Sequence, residues 1–222
     1  MKFQYIFLTF FSLCIPGTEN IKLPLSDEKI SYGQWETTKN SEGVQTYVRW
    51  IEITEGIRTR ERKGEMVIDC TVEDAISIIT NARSTEHWMK NVKESFDIKR
   101  VNSHEWYTYT LFNIPWPFEN RDLVSSNRIK TNIEKDSTII NIISREDYIP
   151  SESGIKRLTD YTANWGIVRI TEEKVRVTFT AITNTPPMFP RWLQDPVLEH
   201  IFHNNLINLK TFIILQKKSG RS

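Results

Sequence analysis

The chain has 222 residues, of which 39% are hydrophobic and 26% are charged, and its formal net charge is +1 at pH 7. These values are typical of a globular protein of one domain and exclude a disordered or membrane-spanning chain. Nucleic acid is not an expected partner, because nucleic-acid-binding proteins carry clustered basic residues and here Lys and Arg are interleaved with Asp and Glu.

Residues 1–17 match the pattern of a secretory signal peptide. Lys2 precedes an uncharged run rich in Phe, Ile and Leu, and Gly17 is a small residue at which cleavage can occur. The run is shorter than the roughly 20 apolar residues that span a bilayer. We expect an exported protein, periplasmic or secreted, if this signal is cleaved, and a cytoplasmic one otherwise. Two alternatives are a buried first element of the domain and a lipid anchor on Cys14, although bulky Leu13 disfavours the anchor.

The remaining chain is predicted to form one domain over residues 25–217, since neither an internal repeat nor a Gly/Ser linker divides it. Removal of residues 1–17 leaves Cys70 as the only cysteine, so no intramolecular disulfide can form and a packed core must stabilise the fold. We expect Cys70 to be a small buried residue and not a reactive thiol.

The first predicted elements of the domain are a short helix within 26–39, with Ser26 as its cap, and a hairpin of strands 44–53 and 57–69. Gly33 weakens the helix prediction. The hairpin strands are rich in β-branched and aromatic residues, and residues 54–56 are prone to form a turn.

A helix is predicted to begin after Thr71, which can form a capping box with Asp74. The segment 84–92 resembles a second short helix with Ser84 as cap. Strands are then predicted from 95 to 183 as sequential antiparallel neighbours. Their ranges are 96–101, 105–114, 122–132, 137–147, 154–170 and 174–184.

The chain closes with a long predicted helix whose apolar residues recur at helical spacing. Asp195 and Pro196 are typical of an N-cap and a first helical position, which would start the main helix there. The alternative is a short helical turn from Pro190 with a kink at Pro196. We favour a turn followed by the long helix. The fold class is therefore α+β, with a curved antiparallel sheet and a long C-terminal α-helix. A cavity remains if the sheet wraps around the helix and side chains do not fill the middle.

Several motifs, in order, identify a family. The most specific is "PWPFENRD" at 115–122, followed by "IPSESGIKR" at 149–157 and "FPRWL" at 189–193. Trp35, "GVQTYVR" and Trp88 precede them. Over residues 30–216 the chain resembles the START family, the lipid-transfer domains related to the steroidogenic acute regulatory protein.

The resemblance implies a helix-grip fold, in which a U-shaped sheet encloses a hydrophobic tunnel for one sterol, phospholipid or fatty-acyl lipid. It also implies lipid binding or transfer without chemistry and without a cofactor. Two departures stand out. The turn before the last helix is "TNTPPMFP" in place of Asn-Pro-Gly-Gly, and the acid–arginine pair of some sterol-binding members is replaced by Thr108, Leu111 and Asn127.

The candidate site residues fall into two groups. The structural motif residues end a strand and fix a turn: Pro115, Pro117, Arg121, Asp122 and Arg157. The cavity candidates lie on one strand and on the last helix: Tyr107, Thr108, Tyr109, Thr110, Phe112, Trp192, Val197, Ile201, Leu209 and Ile213. The pattern leaves open which face of the strand points inward. Burial of ten methylenes at ~0.8 kcal/mol each would give roughly micromolar affinity.

No catalytic or metal-binding residue is predicted. His200 and His203 are three residues apart on a helix but lack a completing ligand. Glu146 and Asp147 are adjacent on a strand and point to opposite faces. The leading hypothesis is a monomeric lipid-binding protein that contacts membranes transiently. The alternatives are a helix-grip enzyme, like cyclases and hydrolases, that acts on a hydrophobic substrate in the same cavity, and a surface interaction module without an internal ligand.

Overall fold

The structure is a computed structural model that describes residues 31–54, 56–114, 119–184 and 189–219. The predicted signal peptide with Cys14, the start of the predicted domain at 25–30, and the two motif prolines Pro115 and Pro117 lie outside the described residues.

One curved sheet of eleven strands forms most of the described part of the chain. The strands are β1 (Ser31–Tyr32), β2 (Glu36–Ser41), β3 (Val44–Thr54), β4 (Ile57–Ile68), β5 (Val92–Asn102), β6 (Glu105–Phe112), β7 (Arg121–Asn132), β8 (Ser137–Ser144), β9 (Lys156–Arg157), β10 (Tyr161–Thr171) and β11 (Lys174–Thr183). Their order across the sheet is β1-β3-β4-β11-β10-β8-β7-β6-β5, with β2 on β3 and β9 on β7. All pairs are antiparallel except β7 with β9.

Three α-helices accompany the sheet in the described ranges: α1 (Val72–Ile79), α2 (Thr85–Trp88) and α3 (Arg191–Ser219). The predicted α+β class and the helix-grip arrangement of a curved antiparallel sheet around the C-terminal helix are confirmed. None of the described helices is both long and apolar enough to cross a membrane.

The prediction of a helix over 26–39 is wrong for the part of that segment that the structure describes. Residues 31–32 and 36–41 are strands that pair with β3. Between them, the Gly33 amide donates to the Trp50 carbonyl at 2.8 Å. Pairing with the long strand β3 provides hydrogen-bond partners for the backbone of this segment. A helix there would be weak, because glycine at residue 33 disfavours it.

The capping box of α1 is present as predicted, since the Asp74 amide and the Thr71 hydroxyl are 3.0 Å apart and the Asp74 carboxylate accepts from the Thr71 amide. Helix α2 is shorter than predicted and follows a 3-10 turn at Ala82–Ser84. Ser84 does not cap it. Its hydroxyl donates to the carbonyl oxygens of Ile78 and Asn81 at 2.6 and 2.8 Å, which ties the end of α1 to the turn.

Helix α3 begins at Arg191 and runs through Pro196, so the predicted separate turn before Asp195 is wrong. Asp195 is not an N-cap but a buried carboxylate that lies 3.4 Å from Arg60 and 3.7 Å from Arg62, both on β4. These ion pairs hold the first turns of the helix on the sheet, although Pro196 removes one helical hydrogen bond.

At Gly64 of β4, α3 packs closely against the sheet. A Cβ atom at this position would overlap Cδ1 of Leu206 and lie 3.4 Å from Cε1 of Phe202. Leu206 is buried and packs with Leu209 and Ile213 into the main hydrophobic core. The missing side chain at residue 64 therefore sets how deeply α3 sits in the sheet.

The substitution Gly64→Ala is expected to lower the free energy of unfolding by about 1–3 kcal/mol, because a methyl group there overpacks the core beneath α3. Gly166→Ala is the matched control, since a Cβ on this central-strand glycine meets only Cβ of Thr178 at 3.9 Å. Urea unfolding followed by circular dichroism would measure both. Equal stability of the two variants would contradict the close approach at Gly64.

Candidate functional site

A partly open cavity of about 100 Å³ lies between the inner face of the sheet and the helical segment 79–89. Strands β5, β6, β7, β8, β10 and β11 supply one wall, and the end of α1, the 3-10 turn and α2 supply the other. The lining residues are Ile79, Thr80, Ala82, Thr85, Trp88, Met89, Ser95, Trp106, Thr108, Thr110, Phe112, Leu123, Ser125, Asn127, Ile140, Ile142, Tyr161, Trp165 and Phe179.

The even-numbered residues of β6 face this cavity. Among the candidates on that strand, Thr108, Thr110 and Phe112 line it. Tyr107 instead stacks on Tyr148 with ring centroids 4.2 Å apart, and Tyr109 belongs to a second small core with Leu111 and Val124. Both tyrosines thus lie on the opposite face of the strand, as the period of two requires.

The five candidates on α3 are not among the residues that line the cavity. Trp192 is 78% exposed and Val197 is 43% exposed, while Leu209 and Ile213 are fully buried in the main core and Ile201 is half-buried. Helix α3 packs over β3 and β4, on the other side of the fold interior from β5, β6 and β7. Its apolar stripe therefore builds the core, and the cavity wall comes from the sheet and residues 79–89.

A strip of hydroxyl and amide groups crosses three neighbouring strands on the cavity wall. Ser95 lies opposite Thr110 and their oxygens are 3.0 Å apart. Thr108 lies opposite Ser125 with 2.9 Å between the oxygens. The Asn127 amide donates to the Thr108 hydroxyl at 3.1 Å and to the Trp106 carbonyl at 3.4 Å. We call these five side chains, Ser95, Thr108, Thr110, Ser125 and Asn127, the polar strip.

Aromatic side chains fill the interior beside the polar strip. Trp165 stacks on Phe179 with centroids 4.1 Å apart and meets Trp88 edge to face at 6.3 Å. Burial raises the pKa of Tyr161, also on the wall, so its phenol stays neutral. Sequence reasoning did not select these residues, although the alternation of Ala163, Trp165 and Ile167 marks one face of their strand as buried.

The motif residue Asp122 is completely buried and forms a two-pronged ion pair with Arg157. Arg157 Nη2 and Nε lie 2.6 and 3.2 Å from the two carboxylate oxygens. The same guanidinium donates to the carbonyl oxygens of Glu146, Ile149 and Pro150. Arg121 is only half-buried, and burial lowers its pKa while Glu119 opposes that shift. The Asp122–Arg157 pair therefore fastens the segment 146–150 to the start of β7.

His200 and His203 lie on α3 and contact the β2–β3 hairpin separately. Lys39 Nζ is 2.9 Å from Nδ1 of His200, and the Ser41 hydroxyl is 2.8 Å from Nε2 of buried His203. The part of the chain that the structure describes contains no group of three or more His, Cys, Asp or Glu side chains suited to a metal ion. Cys70 is fully buried, and this burial raises the pKa of its thiol to about 11.

Replacement of Arg157 by Met should lower the free energy of unfolding by about 3–5 kcal/mol, because Asp122 would remain buried without a counter-charge. Arg128→Met is the matched control, since the Arg128–Glu105 pair is largely exposed and should contribute less than about 1 kcal/mol. Chemical unfolding gives both values. A similar loss in the two variants would show that the buried pair does not anchor the segment 146–150.

The pKa of His203 is lowered by burial and further by Lys39 and His200, whereas Glu42 raises it. The folded protein thus disfavours the protonated imidazole, and its stability should fall as the pH drops below the ordinary histidine pKa of about 6.5. We expect the urea midpoint to fall more between about pH 7.5 and about pH 5.5 in the unsubstituted protein than in His203→Gln.

His104→Gln, at an exposed histidine, is the control for this pH dependence and should behave like the unsubstituted protein. An identical pH dependence in His203→Gln and His104→Gln would rule out the buried imidazole as the source.

The chain was compared with known proteins, and it is similar to several of them in sequence. No protein-family model matches the chain. START domain-containing protein 10 of Mus musculus is 21% identical over 182 residues, which are 82% of this chain and 62% of that protein. The human protein of the same name matches equally well. The chain therefore matches less than two thirds of the length of these curated relatives.

Solved structures share the fold. A STAR-related lipid transfer protein fragment from Xanthomonas axonopodis is 27% identical, with a TM-score of 0.70 over 81% of this chain and 98% of that one. The human STARD10 structure is 19% identical, with a TM-score of 0.68 over 84% of this chain and 76% of that one. These sequence and structural relatives support the resemblance of the chain to the START family.

Proposed function

We propose that this protein binds one lipid inside the cavity and carries it between membranes as a monomer, without chemistry. The observation that carries the proposal is the cavity itself, which is partly open to solvent and walled by aromatic and aliphatic side chains beside a polar strip. Such a wall suits a ligand with a long apolar body and a small polar end. Lipid transfer is also named for the Xanthomonas axonopodis relative.

The cavity must widen to hold a whole lipid. Its volume of about 100 Å³ is well below the roughly 300 Å³ at which ligand pockets typically start. The wall over 79–89 consists of the end of α1, a three-residue turn and a four-residue helix. Elements this short are fixed by few internal hydrogen bonds, so we propose that this wall moves outward when a lipid enters.

Membrane contact is proposed at the start of α3. Trp192, Leu193 and Val197 are exposed there. Arg191 and Arg60 lie over the ring of Trp50 at 5.1 and 4.7 Å. Exposed apolar side chains that adjoin arginines are typical of surfaces that bind the interface of an anionic bilayer. If the signal peptide is cleaved, the membranes in question lie outside the cytoplasm.

One observation favours a second candidate, a surface interaction module without an internal ligand. Trp88, Trp165, Phe179 and Phe202 form a continuous set of ring contacts that occupies much of the interior. The enzyme alternative requires acid–base groups in the cavity, whereas the described lining consists of hydroxyl, amide, aromatic, thioether and aliphatic side chains. We therefore propose binding in preference to catalysis.

Lipid uptake tests the proposal. The protein, incubated with vesicles of mixed sterol, phospholipid and acylglycerol, is re-isolated and examined by native mass spectrometry for one bound lipid per chain. Ser125→Phe should reduce uptake about tenfold or more, because a phenyl ring occupies a cavity of this size and removes the apolar area that a lipid would bury.

Lys130→Phe is the matched control, since residue 130 lies on the same strand and is exposed. It should bind lipid normally. Absence of any bound lipid in the unsubstituted protein would favour the interaction module. Equal uptake by a folded Ser125→Phe variant would place the lipid elsewhere.

A further inference from the structure

We infer that the polar strip selects a lipid whose polar end is an uncharged hydroxyl, amide or ester group, and that it rejects phosphate and carboxylate ends. The inference rests on the proposed lipid-binding function and concerns the chemical class of the ligand. It assigns specificity to the side chains of Ser95, Thr108, Thr110, Ser125 and Asn127.

The first step is the charge of the wall. All described residues that line the cavity are uncharged near neutral pH, and the high pKa of Tyr161 keeps its phenol neutral. An ionised ligand end placed against this wall would lose its hydration without gaining a counter-charge, which is strongly unfavourable.

The second step is the hydrogen-bonding capacity that the strip retains. Two hydroxyl groups joined by one hydrogen bond keep one O–H between them, together with spare lone pairs. Ser95 with Thr110 and Thr108 with Ser125 are two such pairs. The Ser95–Thr110 pair can therefore donate one bond to a ligand oxygen and accept one from a ligand O–H or N–H. The second O–H of the Thr108–Ser125 pair faces the Asn127 carbonyl oxygen, so that pair offers a ligand its acceptor lone pairs. An uncharged hydroxyl or amide makes use of both the donor and the acceptors, whereas a carboxylate or phosphodiester can only accept.

The third step is the position of Asn127. Its two N–H groups are already committed to Thr108 and to the Trp106 carbonyl. Its carbonyl oxygen has only a long contact, 3.5 Å, with the Ser125 hydroxyl, so it remains able to accept. On the facing wall, the buried indole N–H of Trp88 has no hydrogen-bond partner in the described part of the chain. Donors and acceptors on the sheet thus lie across from a donor on the facing wall, and a neutral bifunctional group can use both kinds.

Three ligands with matched chains test the inference: hexadecanol, ionised palmitate at about pH 8, and hexadecane. Each is delivered from the same phosphatidylcholine vesicles, and the ligand bound to the re-isolated protein is quantified by mass spectrometry. We expect hexadecanol to bind at least about tenfold more tightly than palmitate, because the buried carboxylate has no counter-charge. Hexadecanol should also bind more tightly than hexadecane and the host phosphatidylcholine.

The double variant Ser95→Ala/Thr110→Val removes one hydroxyl pair entirely, and loss of both partners together is nearly neutral for stability. It should reduce the preference for hexadecanol over hexadecane about threefold to tenfold, the equivalent of one hydrogen bond. Thr131→Val/Thr138→Val is the matched control, because these two hydroxyls form a similar pair at 3.2 Å on the same sheet and away from the cavity.

Palmitate or phosphatidylcholine binding as tightly as hexadecanol would overturn the inference while leaving lipid binding intact. So would an unchanged hexadecanol preference in the Ser95→Ala/Thr110→Val variant. If hexadecanol, palmitate, hexadecane and phosphatidylcholine all fail to bind while the mixed vesicles still deliver a lipid, the inference falls alone. If the mixed vesicles also leave no lipid bound, the proposed function falls with it.

Discussion

The seating of α3 on the sheet at Gly64 is the constraint on which the rest of the interior depends. Because residue 64 has no side chain, Leu206 descends onto β4, and the helix fills the interior over β3 and β4 with apolar packing. The helix then leaves the inner face of β5, β6 and β7 uncovered. The short elements at 79–89 cover that face instead, and the cavity with its polar strip lies in the gap between them.

Much of the fold follows from local sequence, for identifiable reasons. The strands from β3 to β11 have clear turn residues at their ends, and Thr71 with Asp74 defines the start of α1. Pro196 misleads because local rules place a proline at a helix start, whereas the arginines that hold Asp195 lie more than 130 residues earlier on β4. Local helix propensity takes no account of residues so distant in the sequence, so it cannot predict these ion pairs.

The candidate site was less accessible to sequence reasoning. The pattern of β6 is bulky on both faces, because outside the cavity Tyr109 packs in a second cluster and Tyr107 stacks on Tyr148. Alternation alone therefore could not orient the strand. The polar strip is equally hidden, since its serines, threonines and asparagine are ordinary strand residues until the register brings them opposite one another. The helical spacing of apolar residues in α3 was clear from the sequence. These residues were predicted to line the cavity, but those of the stripe that are buried pack in the main core.

The arginines at the start of α3 and the neutral wall of the cavity respond differently to the ionic medium. Dissolved salt screens exposed charges beyond about 8–10 Å. The attraction that we propose between an anionic surface and Arg191, together with exposed Arg58, which also lies over the ring of Trp50, therefore weakens as ionic strength rises. An interior of hydroxyls and apolar groups offers nothing for salt to screen. Under the proposed function, ionic strength would change the arrival of the protein at a membrane and would leave the affinity for the bound lipid almost unchanged. Varying the salt concentration alone would therefore separate these two steps.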